Sequence, residues 1–260
     1  MATPRVIVLT GFGINCDYET EDAFNRAGAM AARVHVNELI AQPSLLESYQ
    51  VMAVPGGFSF GDDLGSGKVL ANKLKYRFGD ALLEFLRADK LVMGICNGFQ
   101  VLVQLGLLPG GVEDGLKQNA TVTFNDSGKF EDRWVSIEAD QASPCVFTRG
   151  MDWLELPVRH GEGKFFSADS DLLQRIVDDN LVALRYTNPD RSRPASYPFN
   201  PNGSLDDIAG VCDPTGRVFG LMPHPEAFTS GCHHPRWTRE DIDDPGQGLG
   251  FFQNAVRYYC

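Results

Sequence analysis

Six cysteines and five histidines are the residues of this 260-residue chain best suited to nucleophilic or metal chemistry. Cys96 stands apart among them. In "MGICNGFQ" (93–100) it is flanked at two residues on either side by Gly94 and Gly98, where the apolar run "KLVMGI" stops and a helical pattern begins. Gly-x-Cys-x-Gly at a strand-to-helix junction is a nucleophile elbow with cysteine in place of serine. The glycines are needed because the nucleophile's backbone is strained and the strand and helix approach closely. Such a turn points the thiol outward and sets it at a helix N-terminus, where negative charge is favoured. Free backbone N–H groups there can also hold a developing oxyanion. The other cysteines, Cys16, Cys145, Cys212, Cys232 and Cys260, are scattered without a C-x-x-C pair. They read as reduced thiols, most of them small buried hydrophobes.

A cysteine nucleophile needs a base, and the base needs a third group to orient it. His35 lies in a strand-like run and reads as a core or surface residue. His160 sits in "RHGEGKF", beside an acid and glycines, and His224 sits in "MPHPE", directly after "RVFGL", with Glu226 two residues on. A residue that precedes proline is pushed into extended conformations, where positions i and i+2 face the same side. His224 and Glu226 are therefore expected to project together, the carboxylate holding the imidazole and selecting its tautomer. Cys96 and His224 are 128 positions apart, so only the fold can join them.

The loop "VPGGFSFGDD" (54–63) follows a strand-like run with a Gly-Gly pair. That pair lets a backbone N–H approach a substrate closely, as a second oxyanion donor alongside the N–H of Asn97. A phosphate loop is the rival reading, but "DDLGSGKV" lacks the first glycine of G-x-x-x-x-G-K-[ST] and has Val69 where the hydroxyl must bind Mg²⁺. "GCHHP" (231–235) lacks the usual metal-ligand spacings, so no metal site is expected. The acidic run "REDIDD" (239–244) reads as a solvated face.

The elements that must position these residues alternate in the first half. Strand-like runs at 5–10, 32–36, 51–57 and 90–95 are separated by helical patterns at 20–29 and 79–89 and a short one in "SLLESY". Continuous apolar strands separated by helices indicate a parallel sheet covered on both faces, with ligands at the carboxyl ends of its strands. Both "PGG" and "GICNG" lie at such ends. From about residue 117 the pattern turns β-rich, with "ATVTF", "RWVSIEA", "WLELPV" and "LVALRY" around one helical stretch, "DSDLLQRIVDDN". "IAGVC" and "RVFGLM" flank "DPTG", a hairpin signal. This half is expected to extend the sheet with antiparallel strands. A closing helix over "GQGLGFFQNAVRYY" would turn Phe251, Phe252, Ala255 and Val256 inward. The expectation is thus an α/β fold: a mostly parallel open sheet flanked by helices, with added antiparallel strands. With no convincing linker or repeat, residues 1–260 read as one domain.

The net charge of −11 makes a nucleic-acid backbone or an anionic membrane a poor partner on average. No apolar stretch long enough to span a bilayer is present, and the first residues lack a secretory layout. A cytoplasmic protein is expected.

Cys96, "PGG" and "HPE" together resemble the class I glutamine amidotransferase domain, of flavodoxin-like fold. "GFGINCD", "PGGFSFGDDLGSG", "GICNGFQ", "HGEGKF", "YPFNPNGSLDDIAGV" and "MPHPE" narrow the resemblance to the glutaminases of phosphoribosylformylglycinamidine synthase, and they run in order from residue 11 to residue 226. The resemblance implies that Cys96 attacks the carboxamide of glutamine to form a γ-glutamyl thioester and ammonia. His224 would shuttle the proton and Glu226 orient it, with N–H groups at Gly57 and Asn97 on the oxyanion. Gln100 would contact bound glutamine, as would His160, Gly161 and Glu162 from a substrate-side loop. Ammonia would pass to a synthetase subunit of phosphoribosylformylglycinamidine synthase, which carries the ATP and Mg²⁺, with a small accessory subunit in the complex. No cofactor is expected in this chain. Gly65 stands where small stand-alone members have arginine, and that stretch is similar to the fused form of the domain. Met1, four residues before the first strand, favours a separate subunit instead. Two other readings stand beside the glutaminase. One is a cysteine hydrolase of another substrate on the same elbow, which would want its acid between nucleophile and base. The other is a non-catalytic regulatory subunit that keeps the fold.

Overall fold

The computed structural model describes residues 3–260. Strand β1 (Arg5–Thr10) leads into helix α1 (Asp17–Arg26), and β2 (Met30–His35) leads directly into α2 (Val36–Ala41). Strand β3 (Val51–Val54) precedes the long α3 (Lys68–Arg87), and β4 (Leu91–Ile95) precedes α4 (Asn97–Leu105). The second half contributes β5 (Thr121–Phe124), β6 (Glu131–Ala139), β7 (Trp153–His160), β8 (Glu162–Phe166), α5 (Ser170–Asp178), β9 (Val182–Thr187), β10 (Ile208–Cys212), β11 (Val218–Leu221) and α6 (Leu249–Arg257).

Nine strands form one sheet in the order β2-β1-β3-β4-β11-β10-β9-β6-β7. The first five pair in parallel and the rest antiparallel, so the sheet is parallel where the sequence alternates strand and helix and antiparallel beyond. Strands β3, β4 and β11 are buried along their whole length, which accounts for their unbroken apolar character. The chain runs from β1 to β2 in one direction and from β3 to β4 in the other. Right-handed crossovers therefore put α1 and α3 on opposite faces. Helix α1 packs with α6, Phe24 meeting the edge of Phe252 at 4.9 Å, while α3 packs with α4. Phe251, Phe252, Ala255 and Val256 are buried as the spacing requires.

Four local expectations differ from the structure. The run 32–36 is not all strand: β2 begins at Met30, and at His35 the backbone turns into α2, whose cap is the imidazole accepting from Asn37 N at 3.1 Å. "SLLESY" forms a 3₁₀ turn, Pro43–Ser48, too short for an α-helix once proline has set its first residue. Helix α3 starts well before residue 79, because Leu70, Ala71, Leu74 and Phe78 already carry its buried face. "HGEGKF" is no loop. It is the end of β7, a one-residue turn at Gly161 and the start of β8, which pairs with β5 as a separate two-stranded ribbon.

Candidate active site

The order β2-β1-β3-β4-β11 reverses direction between β1 and β3, the place where open α/β sheets leave a crevice at their carboxyl ends. Three loops and a turn reach that end: Gly11–Cys16 after β1, Pro55–Gly57 after β3, Cys96 after β4 and Met222–Glu226 after β11. The separation of 128 residues between Cys96 and His224 closes because β4 and β11 are neighbours in register, Ile95 opposite Leu221. Cys96 N donates to Leu221 O at 2.8 Å, which fixes the two strand ends together just where the nucleophile and base candidates leave them.

Cys96 has φ 51° and ψ −105°, a conformation in the left-handed half of backbone space that costs about 1–3 kcal/mol for a residue with a Cβ. Gly98 shows what sustains it. A Cβ there would stand 1.8 Å from Val54 O, and one at Gly94 would stand 2.6 Å from Gly98 O, so β3, β4 and the first turn of α4 meet backbone to backbone. The thiol is nearly buried, and its Sγ lies 3.6 Å from Arg159 O. Asn97 opens α4, a position whose N–H has no intrahelical acceptor. Gly57 has φ 147°, and its neighbours are fastened to the β1 loop by Phe58 N to Gly13 O (2.7 Å) and Asn15 N to Gly56 O (3.3 Å).

His224 Nδ1 and Glu226 Oε1 are 2.6 Å apart and both side chains are buried. The expected pairing is present, but not through an extended pleat. Pro225–Ala227 is a 3₁₀ turn, and it is this turn that brings the carboxylate under the ring. His224 N donates to Pro157 O at 2.8 Å, anchoring the residue to β7. Burial opposes charging of this imidazole, but the Glu226 carboxylate and the Cys96 and Cys16 thiols beside it outweigh that cost and raise its pKa well above the ordinary value. His224 Nε2 and Glu226 Oε2 are buried without a hydrogen-bond partner.

The remaining candidates form a scaffold around the elbow, with Gln100 and His160 buried and Gly161 and Glu162 half-buried. Gln100 Nε2 donates to Glu162 O, and Gln100 Oε1 accepts from Asn97 Nδ2 at 2.9 Å. Its amide thus ties α4 to the β7–β8 turn. The Glu162 carboxylate accepts from Ser66 N at 3.3 Å, and Gly161 O accepts from Asn125 N at 3.0 Å. His160 is 2 % exposed, and Nδ1 is 3.1 Å from Asn125 Oδ1. Asn125 Nδ2 already donates to Lys129 O and His160 O, and its Oδ1 accepts from Gly163 N, so Oδ1 faces the ring and His160 carries its proton on Nδ1. Nε2 is left as an unpartnered acceptor. Burial, then the charges of His224 and Arg133, push its pKa down to about 3.

Two groups here were given no part in the site by the sequence reading. Asp62, whose carboxyl is raised above its usual range by burial, accepts from Asn97 Nδ2 and Gly67 N and clamps the 54–67 loop to the elbow. Cys16 lies against His224: a Cβ at Gly56 would be 2.8 Å from His224 Cε1 and 3.3 Å from Cys16 Sγ. The rule that ligands gather at strand carboxyl ends was the one signal for Cys16, which comes after β1.

The site thus joins a strained cysteine elbow at the end of β4 to a His-Glu pair at the end of β11, the strand beside it. The chain belongs to the CobB/CobQ-like glutamine amidotransferase domain family, whose model matches residues 3–259. It is 46 % identical to the phosphoribosylformylglycinamidine synthase subunit PurQ of Dehalococcoides mccartyi, over 99 % of this chain and 98 % of that one. It is 40 % identical to the subunit of the same description from Methanococcus maripaludis, over 98 % and 97 % of the two chains. Among solved structures, a chain in the structure of PurLQS from Thermotoga maritima matches with TM-score 0.73 and 30 % identity over all of both chains.

Proposed function

We propose that this chain is the glutaminase subunit of a phosphoribosylformylglycinamidine synthase, hydrolysing glutamine through Cys96, His224 and Glu226. One observation carries the reading: the His224–Glu226 pair, 2.6 Å apart, stands at the end of β11, the strand hydrogen-bonded to the one that ends in Cys96. The relatives' names supply the pathway, and the full-length match to them supports it.

In this mechanism His224 takes the thiol proton as Cys96 Sγ adds to the carboxamide carbon of glutamine, and the carbonyl electron pair moves onto oxygen. The backbone N–H groups of Gly57 and Asn97 hold that oxyanion. Collapse of the adduct breaks the C–N bond, His224 gives its proton to the departing nitrogen, and ammonia leaves with a γ-glutamyl thioester on Cys96. His224 then takes a proton from water, whose attack releases glutamate and the thiolate. Glu226 holds the imidazole in one tautomer throughout. Glu162, Gly161 and Gln100 line the substrate side, Glu162 fastened to α4 through Gln100 and Gly161 to the segment after β5 through Asn125. His160, whose burial disfavours its charged form, offers Nε2 as an acceptor and suits the substrate's ammonium group.

Ammonia passes to a synthetase subunit that holds ATP and Mg²⁺, with a small accessory subunit alongside, so this chain needs no cofactor for its own step. The continuous nine-stranded sheet supports reading 1–260 as one glutaminase domain. Among the described residues no helix is long and apolar enough to cross a membrane, which fits work in the cytoplasm. The test is reconstitution with the cognate synthetase: glutamine-dependent product formation is expected, lost on Cys96→Ala while ammonia still supports the reaction. Glutamine hydrolysis that survives Cys96→Ala in the assembled complex would refute the assignment. Weak turnover by the isolated chain is also expected, and equal rates with and without the synthetase would contradict it.

A further inference from the structure

We propose that Cys16, His224 and Glu226 form a binding site for a soft divalent cation of the Zn²⁺ type, whose occupancy shuts off the nucleophile's base. One ligand atom from each of the three residues lies within 4.8 Å of the other two. The set is a thiol, an imidazole and a carboxylate, the donors Zn²⁺ takes, and three protein ligands leave a fourth position for water or another thiolate. Tetrahedral bonds of about 2.0–2.3 Å bring neighbouring ligand atoms to roughly 3.3–3.7 Å, so side-chain shifts of about 1 Å complete the geometry.

Two further observations point to a ligand. Although His224 and Glu226 satisfy one another through Nδ1 and Oε1, His224 Nε2 and Glu226 Oε2 are both buried with no partner. Each residue therefore keeps an unused donor position: a lone pair on Glu226 Oε2, and one that His224 Nε2 offers once its proton has left. The third donor, Cys16, caps α1 at the end of the β1 loop, where its Sγ lies 3.4 Å from Asn15 Oδ1 and beside the imidazole. It has no part in the reaction written above. Sequence spacing could not show this set, because Cys16 and His224 are 208 positions apart and only the order β1-β3-β4-β11 brings their loops together.

Binding releases the Cys16 proton and the second imidazole proton of His224 to solvent, and the thiolate, neutral imidazole and carboxylate together hold the dication. An imidazole coordinated to metal cannot accept or return a proton, so glutamine hydrolysis stops until the metal is withdrawn. That consequence rests on the proposed role of His224; the binding itself does not.

The test uses the full chain with the exposed Cys232 and Cys260 changed to serine, so that surface thiols do not contribute. Zn²⁺ alone is measured by equilibrium dialysis, and Co²⁺ as its spectroscopic stand-in, reporting thiolate ligation by a charge-transfer band. One Zn²⁺ per chain is expected at micromolar metal. The cobalt band should persist in Cys96→Ala and disappear in Cys16→Ala and Cys16→Ser, with Zn²⁺ affinity falling at least about 100-fold, the scale of a lost zinc ligand. Zn²⁺ should also slow alkylation of Cys16 in the Cys96→Ala chain, a readout that needs no substitution at Cys16. A band lost in Cys96→Ala but kept without Cys16, no stoichiometric Zn²⁺, or unchanged alkylation would each overturn the site. Zn²⁺ binding as described without inhibition of glutaminase would leave the site standing and count against His224 as the base.

Discussion

His160 should make the folded state lose stability in mild acid, by an amount the structure sets. Its imidazole is 2 % exposed, its Nδ1–H is committed to Asn125, and its pKa is pushed down to about 3 against an ordinary 6.5. The unfolded chain thus binds a proton near pH 6.5 that the folded chain refuses until pH 3. A depressed pKa contributes stability that is fully present above pH 6.5 and is lost as pH falls toward 3, at up to ~1.4 kcal/mol per pH unit. Between pH 7.5 and pH 5.0 the loss from this one group is ~2 kcal/mol. His224 has the opposite sign. Its raised pKa adds stability that is complete below pH 6.5 and declines as pH rises from there through the folded value, so between pH 6.5 and 7.5 it works against the His160 trend and, like the carboxylates, is common to both chains. His160→Asn keeps a donor toward Asn125 and removes the titration. Urea unfolding of both chains at half-unit steps from pH 7.5 to 5.0 isolates the effect from the carboxylates, which are common to the two. The variant should start less stable, because a smaller side chain leaves space in the core, and the gap should narrow by ~2 kcal/mol as pH falls. A gap constant across the window would refute the reasoning. It would show that His160 takes its proton in the folded state as readily as in the unfolded one.

Glu226→Gln should lower kcat/KM for glutamine by about 10²–10⁴-fold, the range seen when an orienting carboxylate is lost. The ring of His224 should titrate at lower pH in that variant, because the carboxylate that favours imidazolium is gone; NMR of the ring protons reads this, and an unmoved titration would separate Glu226 from His224. Gly98→Ala drives a Cβ to 1.8 Å from a backbone oxygen that no side chain can swing away from, and should cost about 3 kcal/mol or more in thermal or urea unfolding. Gly161→Ala meets nothing closer than the Phe130 ring edge at 3.9 Å and should cost under about 1 kcal/mol by the same measurement.

Much of this site was legible because its rules are local. Two glycines around Cys96 announced a strained junction, and the backbone at φ 51° is that junction. A histidine and a glutamate two residues apart announced a pair, yet the chain makes it through a 3₁₀ turn where i and i+2 are brought together by curvature. Proline restricts the residue before it but leaves the residues after it free to curve, and that is why the pleat was the wrong geometry for the right contact. Strand β8 was missed because "EGKFF" has no apolar run; only alternate positions, Gly163 and Phe165, are buried, and its partner β5 is about forty residues earlier. The inward residues of α3 before Gly79 keep a helical spacing, but the glycine inside that helix reads as a boundary when no packing is visible. Cys16 depended on strand order. Nothing in the spacing of residues places the loop after β1 against the turn after β11.

Alkylation by a glutamine-analogue electrophile, with the adduct located by peptide mass spectrometry, tests most directly that Cys96 is an activated nucleophile and not a buried thiol. The account predicts one adduct per chain on the peptide holding Cys96, blocked by glutamine and slowed at least about 100-fold by His224→Ala. Labelling at Cys16, or spread over the exposed Cys232 and Cys260, or indifferent to His224, would contradict it.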